Sequence, residues 1–403
     1  MTEQLEKLKV DPYLYIIMIV TFLVCLPGVY MGLTHTQYVP WVDAIIFGIA
    51  IFGAAFTLSW AAEAAQIDIS ESLAVAILAL LAVLPEYAVD FVFTWKAAHD
   101  PTQAHYAVAN MTGANRLLVG LGWPAVLLIY IIAKRQTKII LQASQRVEIF
   151  YLAMATLYSF TIPLKGSLNL IDSVILVTLF ALYARRAAQM ETVEPELVGP
   201  VKIIANMNKS PRRISTAALF AYAGFVIFFV AEPFAESLVE TGAHLGIDEF
   251  FLVQWLAPIA SESPEFIVAA TWAMRGHAGS ALKALISSKV NQWTLLVGTI
   301  PIVYAISGSE IKPFPLDTLQ DHELFLTAAQ SLFAVAVLVN LTLNRTEGVL
   351  LTALFLAQLI VSEIRMEVAY IYIGLAAIMH VVHRRDLLPA AKMGLGIGLK
   401  EKL

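Results

Sequence analysis

Apolar stretches of about 17 residues or more alternate with short polar segments along almost the whole chain. At about 1.5 Å of rise per residue, each is long enough for a helix to cross a hydrocarbon core of about 30 Å. About twelve spans are predicted on this pattern: Tyr13–Leu33, Trp41–Ala65, Glu71–Ala97, His105–Ala133, Arg146–Leu164, Leu168–Arg186, Ile214–Thr241, Phe250–Met274, Ala278–Ile306, Glu323–Leu343, Gly348–Ile364 and Glu367–His383. The last two are parted only by Glu363, Arg365 and Glu367. No strand-like period competes, so the expected class is all-α.

Composition agrees. Hydrophobic residues make up 59% and charged residues 14% of the chain, and the mean hydropathy is +0.74. A soluble domain carries about 25% charged residues, so the sequence reads as a polytopic membrane protein. The net charge of −5 decides little; where the charges fall decides more. Cys25 is the single cysteine, which excludes an intrachain disulfide or a cysteine metal cluster. Met1–Val10 mixes Glu3, Glu6, Lys7 and Lys9 and precedes a run long enough to span, unlike a cleaved signal peptide. Basic residues cluster after the fourth span (Lys134, Arg135, Lys138, Arg146), after the sixth (Arg185, Arg186, Lys202, Lys209, Arg212, Arg213) and after the last (Arg384, Arg385, Lys392). Loops after the first and seventh spans have none. The positive-inside rule then places both termini in the cytoplasm of a multi-pass cell-membrane protein.

Two spans contain a Pro-Glu pair, Pro85-Glu86 and Pro264-Glu265. A carboxylate at the bilayer centre costs about 2.5–3.5 kcal/mol even on the lenient insertion scale. Proline leaves a carbonyl one turn earlier without its helical donor. Both defects together, once in each half, point to an ion site built on broken helices. On the predicted topology the third span runs outward and the eighth inward, as an inverted repeat requires. Residues 188–213 are polar, with Glu191, Glu194 and Glu196, and read as a cytoplasmic linker. The division is therefore an extra N-terminal helix in 1–40, a first transmembrane repeat in 41–187, the linker, a second repeat in 214–364, and a terminal helix with a flexible basic tail in 365–403. Each repeat has five helices. Leu118-Val119-Gly120 and Pro124 in the first recur as Leu296-Val297-Gly298 and Pro301 in the second.

With these landmarks the chain resembles the sodium/calcium exchanger family, within the calcium/cation antiporters. That family carries two repeats, each with a Gly-Thr-Ser-x-Pro-Glu helix followed by a Gly-Asn-x-x-Gly-Ser-Asn helix. Here Pro85-Glu86 is followed by Asn110-Met111-Thr112-Gly113-Ala114-Asn115, and Pro264-Glu265 by Ser287-Ser288-Lys289. The departures are specific. The family's Thr-Ser pair becomes Ala82-Val83 in the first repeat and Ser261-Glu262 in the second. Its polar ligands on the following helix fall on Ala114 and Leu118 in the first repeat, where the His99–His105 loop blurs the register. In the second they fall on Ser288 and Gln292. Lys289 takes the family's Asn position, and Arg116 follows Asn115. The resemblance implies a cation clamp of Glu86 and Glu265, with Glu262, Ser261, Ser288, Gln292 and Asn110 as further ligands. Calcium takes 6–8 oxygens at 2.3–2.6 Å, a shell these residues and backbone carbonyls can supply. Ser261 shares a helix face with Glu265, and Ser288 with Gln292, whereas Glu262 points about 100° from Ser261. Asp90 lies one turn beyond Glu86. Lys289 either stands in for a cation, titrates, or snorkels to the cytoplasmic face.

Other polar residues are less pointed. Glu232 and Glu236 are four apart in the seventh span and line a vestibule or sit at a helix edge. His380 and His383 have a metal-pair spacing but adjoin Arg384 and Arg385, as headgroup-facing residues do. No zinc-protease, P-loop or hydrolase signature is present, so no enzyme is expected, nor any cofactor or nucleic-acid partner. The expected partners are the lipid bilayer and inorganic cations. The function expected is a secondary antiporter exchanging calcium, or a related cation, for sodium or protons by alternating access. A sodium or other monovalent cation/proton antiporter, and a non-transporting membrane protein with a degenerate ion site, are the alternatives.

Overall fold

The computed structural model describes residues 10–68, 84–190, 197 and 199–397. Ala82 and Val83, the start of the predicted third span, and Glu191, Glu194 and Glu196 of the predicted linker lie outside the described residues. The described chain is almost wholly helical. Seven helical segments in it are long and apolar enough to cross a membrane: Tyr13–Thr34, Pro40–Gln66, Pro101–Lys134, Ala143–Lys165, Lys209–Leu245, Ala278–Gly308 and Ser362–Val382. The other predicted spans are also helical where described. They fall short because they carry carboxylates or basic ends, or because they are brief, as Arg345–Ile360 is with 16 residues. Large apolar side chains such as Ile132, Leu164 and Phe228 are exposed by more than 70%, which suits a lipid-facing surface and would be costly in water.

The chain divides into two units, Met1–Val92 with Glu191–Pro264, and Phe93–Met190 with Glu265–Leu403. It crosses between them inside both Pro-Glu helices.

The first unit contains α1 (Tyr13–Thr34), α2 (Pro40–Gln66), the start of α3 (Leu84–Ala97), the short α9 (Val201–Ala205), α10 (Lys209–Leu245) and the first part of α11 (Glu249–Arg275). Small residues let α1 lie close to α2: a Cβ added at Gly28 would come within 2.6 Å of the Ala50 Cβ, and the Cys25 thiol donates to the Ala50 carbonyl of α2 at 3.6 Å. Trp60, Ala61 and Ala64 of α2 pack on Val201, Ile204 and Leu219. α10 has 37 residues and begins five positions before the predicted span, so part of the expected linker is helix. Its Arg212 donates two hydrogen bonds to Asp68 at 2.7 and 2.8 Å, which ties the end of α2 to the start of α10. Those bonds hold the Asp68 carboxyl below its ordinary pKa of 3.8. A carboxylate so depressed contributes fully above its unfolded pKa and loses the contribution as pH falls through the folded value. Asp68→Asn should therefore lower the melting midpoint of the protein in detergent at pH 7, and the difference from wild type should vanish as the pH falls through the depressed folded value.

The second unit is built on two helices with a π turn at their middle. α4 (Ala104–Leu117) passes through the π turn Leu118–Gly122 into α5 (Trp123–Lys134). α12 (Ala278–Asn291) passes through the π turn Gln292–Leu296 into α13 (Val297–Gly308). α4 touches the second π turn and α12 touches the first, so the two crossed helices meet at their wide turns. The first of these turns needs its two glycines. The Phe355 ring occupies the space a Cβ at Gly120 would need, and the Phe266 ring does the same at Gly122.

Around this cross stand α6 (Arg146–Ser159), α7 (Thr161–Lys165), α8 (Leu170–Ala187), α14 (Thr318–Leu338), α15 (Arg345–Ile360), α16 (Arg365–Val382) and α17 (Arg384–Leu395). α15 packs on the first π turn and α8 on the second. Two short antiparallel pairs close the ends: β1 (Lys138–Ile140) with β4 (Thr342–Asn344), and β2 (Ser167–Leu168) with β3 (Phe314–Pro315). α8 and α15 each start from a capping box. Asn169 accepts from the Asp172 N–H while Asp172 accepts from that of Asn169, and Asn344 and Glu347 do the same. The C-terminal tail differs from expectation: it continues as α17 to Leu395, because Gly394 fits under the Phe150 ring and the helix docks on α6.

Candidate ion-binding site

In the first unit Glu86 of α3, directly after Pro85, is buried, as is Asp90 one turn later. Ser261 and Glu262 of α11 are also buried, and the Ser261 hydroxyl donates to the Ala257 and Pro258 carbonyls at 3.2 and 3.4 Å. α11 is not broken at Pro264. It stays helical from Glu249 to Arg275 through both Pro258 and Pro264. In place of the expected break, Pro258 and Pro264 each lack an N–H donor within a continuous helix.

In the second unit Glu265 is half-buried, and the next side chain, Phe266, packs on Gly122 of the first π turn. Asn110 of α4 is fully buried, as is Gln292, the first residue of the second π turn, which α4 touches; Ser288, one turn before it, is half-buried. Asn110 and Gln292 thus lie on elements in direct contact. Among the described residues no group of three or more His, Cys, Asp or Glu side chains converges as a metal site. A shell for a calcium-sized ion would therefore need amide, hydroxyl and carbonyl oxygens beside its carboxylates.

Lys289 does not reach a surface. It is fully buried, its ammonium donates to the Asn115 backbone carbonyl at 3.2 Å, and it lies 4.9 Å from the centre of the Trp293 ring. A cation over an indole face gains further attraction when desolvated. Lys289 and Asn115 are 174 positions apart, and the two π turns begin at the same spacing. That register sets Ala114 opposite Ser288 and Leu118 opposite Gln292. It also puts the two Leu-Val-Gly triplets one turn out of step: the first lies within its π turn, the second straddles the end of the other.

Sequence reasoning left Arg116 without a partner. Arg116 is buried and forms an ion pair with Glu323 of α14, and it donates to the Gln358 amide oxygen at 2.8 Å. Glu323 also pairs with Arg365 at 2.7 Å. The only signal in the sequence was that Glu323 and Arg365 stand at the edges of predicted spans. In the first unit a cavity of about 80 Å³ is lined by Asp43, Glu236, Glu240 and His35 among others. Of these only Glu236 drew attention from spacing. His383 meets the Asn340 amide through Nε2 (3.1 Å) and the Ala336 carbonyl, an acceptor, through Nδ1 (3.3 Å), while His380 faces the Ala376 carbonyl one turn back, so the two imidazoles are held separately.

The model of the sodium/calcium exchanger protein family matches residues 38–187 and 215–362. The chain belongs to the sodium/calcium exchanger family. The two matched segments coincide closely with the two halves read from hydropathy. Among solved structures, the exchanger is similar to the H+/Ca2+ exchanger CAX, with 42% identity, a TM-score of 0.92, and 95% of this chain and 98% of that chain covered. YfkE shares the fold at 17% identity and a TM-score of 0.62, covering 84% of this chain and 98% of its own. The sodium-calcium exchanger NCX_Mj does so at 17% and 0.52, covering 86% and 98%. Curated protein sequences gave no match. In this exchanger the two helices that follow the Pro-Glu pairs are unequal: the positions that carry Ser288 and Gln292 in one carry Ala114 and Leu118 in the other.

Proposed function

We propose that this chain is a secondary active antiporter that moves calcium, or a related divalent cation, in exchange for protons. The observation that carries the reading is the 42% identity, over 95% of the chain, to the H+/Ca2+ exchanger CAX. Glu86 and Glu265 are the essential cation ligands on this reading, assisted by Glu262, Ser261, Ser288, Gln292 and Asn110. Protons are favoured over sodium because each sodium ion needs its own oxygen shell, and Ala114 and Leu118 offer no side-chain oxygen on the first helix.

We further read the two halves as inverted repeats within about twelve spans. Three features of the second unit support this: matching π turns at a common spacing, matching capping boxes at Asn169 and Asn344, and the exchange of strands between halves, β1 with β4 and β3 with β2. Lys134, Arg135, Lys138, Arg146 and Arg345 stand on or beside the β1–β4 pair, against Lys165 and Lys312 beside β2–β3, a bias the positive-inside rule asks of a cytoplasmic face. The chain passes from one unit to the other inside both Pro-Glu helices, between Val92 and Phe93 and between Pro264 and Glu265.

The test is calcium uptake into proteoliposomes of the purified protein, under an imposed proton gradient and, separately, an imposed sodium gradient with the membrane potential clamped. Uptake driven by protons alone is expected. Uptake driven by sodium would refute the counter-ion, and no uptake under either gradient would refute the antiporter.

A further inference from the structure

α17 presents three faces. Asp386, Ala390, Met393 and Gly394 turn towards α6 and α8, where Gly394 lies under the Phe150 ring. There Arg186 donates to the Met393 carbonyl at 3.0 Å and Arg146 donates to the Asp386 carbonyl at 3.1 Å. The helix is therefore fixed to its unit along one side only. A second side carries Leu387, Leu388 and Leu395, exposed by 37, 61 and 63%, with Ile397 just beyond. A third carries Arg385 and Lys392, seven residues and two turns apart on one stripe, both exposed. Asp386 does not offset them, because its carboxylate faces Arg146 at 3.4 Å. α17 begins two residues after the spanning segment that ends at Val382, which sets it at the depth of the lipid headgroups. Pairing of β1 with β4 brings Lys138 and Arg345 to the same end.

Exposed leucines beside a basic stripe, on a helix at this depth, suit one environment: a bilayer surface that offers acyl chains to one side and negative charge to the other. Water would leave the leucines uncovered, and a zwitterionic surface would leave the basic stripe uncompensated. We propose that α17 is an interfacial helix seated on anionic phospholipid, with its leucines in the upper acyl region and Arg385 and Lys392 on headgroup phosphates. This rests on the membrane-spanning architecture and is independent of the transported ion.

The test uses the full-length chain with Cys25→Ser and Leu388→Cys, labelled at residue 388 with an environment-sensitive fluorophore. The labelled protein, in detergent, is titrated with phosphatidylglycerol, phosphatidylcholine or inorganic phosphate. Phosphatidylglycerol should shift the emission to the blue at far lower concentration than phosphatidylcholine. Inorganic phosphate should leave it unchanged. Adding Arg385→Gln and Lys392→Gln should raise the phosphatidylglycerol midpoint by about 30-fold, about fivefold for each charge. Equal midpoints for the two lipids, or no change in the double variant, would overturn the proposal. So would a shift reproduced by free phosphate, or one that follows protein rather than lipid concentration, which would indicate a second copy. The label at Ile397→Cys repeats the measurement without touching the helix. Calcium uptake in phosphatidylcholine vesicles should be the same with and without the double substitution, so failure here leaves the antiport reading standing.

Discussion

Glu265→Gln should lower calcium uptake into proteoliposomes by about a hundredfold or more while leaving the melting midpoint in detergent close to that of wild type. Glutamine keeps the volume of the side chain and one carbonyl oxygen, so the helix after Pro264 and the packing of Phe266 on Gly122 are undisturbed. It removes a unit of negative charge. At about 4 Å and an effective dielectric of about 20, two unit charges interact by about 4 kcal/mol. Each 1.4 kcal/mol is about tenfold in affinity, so losing one carboxylate against a divalent ion more than accounts for a hundredfold. Glu86→Gln should behave alike. Full uptake by Glu265→Gln, with protein of normal stability, would remove the residue from the ligand set and with it the proposed clamp.

Glu323→Gln should act on the fold itself. It leaves Arg116 and Arg365 beside each other without the carboxylate they share, and Arg116 is fully buried. Breaking a buried pair from one side costs about 3–5 kcal/mol, because the remaining charge is uncompensated. The melting midpoint and the calcium uptake should fall together. Arg116→Met should cost less than Glu323→Gln, since Glu323 keeps its 2.7 Å contact with Arg365. Adding Arg116→Met to Glu323→Gln should recover part of the loss, a non-additivity expected of residues in one network. A Glu323→Gln protein that melts like wild type would show that the triad is not structural.

Much of this was legible beforehand. Helices α1, α2, α6 and α12–α13 fall within a few residues of the apolar runs, because in lipid a helix must satisfy its own backbone and so announces itself by length. The Pro-Glu landmarks and the boundaries of the two family segments were equally plain. What stayed hidden depends on three-dimensional pairing. Arg116, Glu323 and Arg365 come from three separate spans, and no local pattern says which buried charge meets which. The π turns were invisible because they share no local signature: Leu118–Gly122 carries two glycines and Gln292–Leu296 none. In the first turn the rings of Phe355 and Phe266 seat on its two glycines, a pairing between distant parts of the sequence. The continuity of α11 through two prolines was missed for a related reason: flanking apolar turns packed in a membrane environment hold a helix that proline alone would interrupt in water.

Each π turn carries one more residue than an ordinary turn, and one residue is about 100° of rotation around a helix axis. Removing a single residue from Leu118–Gly122 would leave Asn110 where it is and swing every side chain of α5, from Trp123 to Lys134, round to a different neighbour. The width of that turn therefore sets the angular phase between the two halves of the helix: it decides which residues beyond Gly122 look inward and which meet the acyl chains.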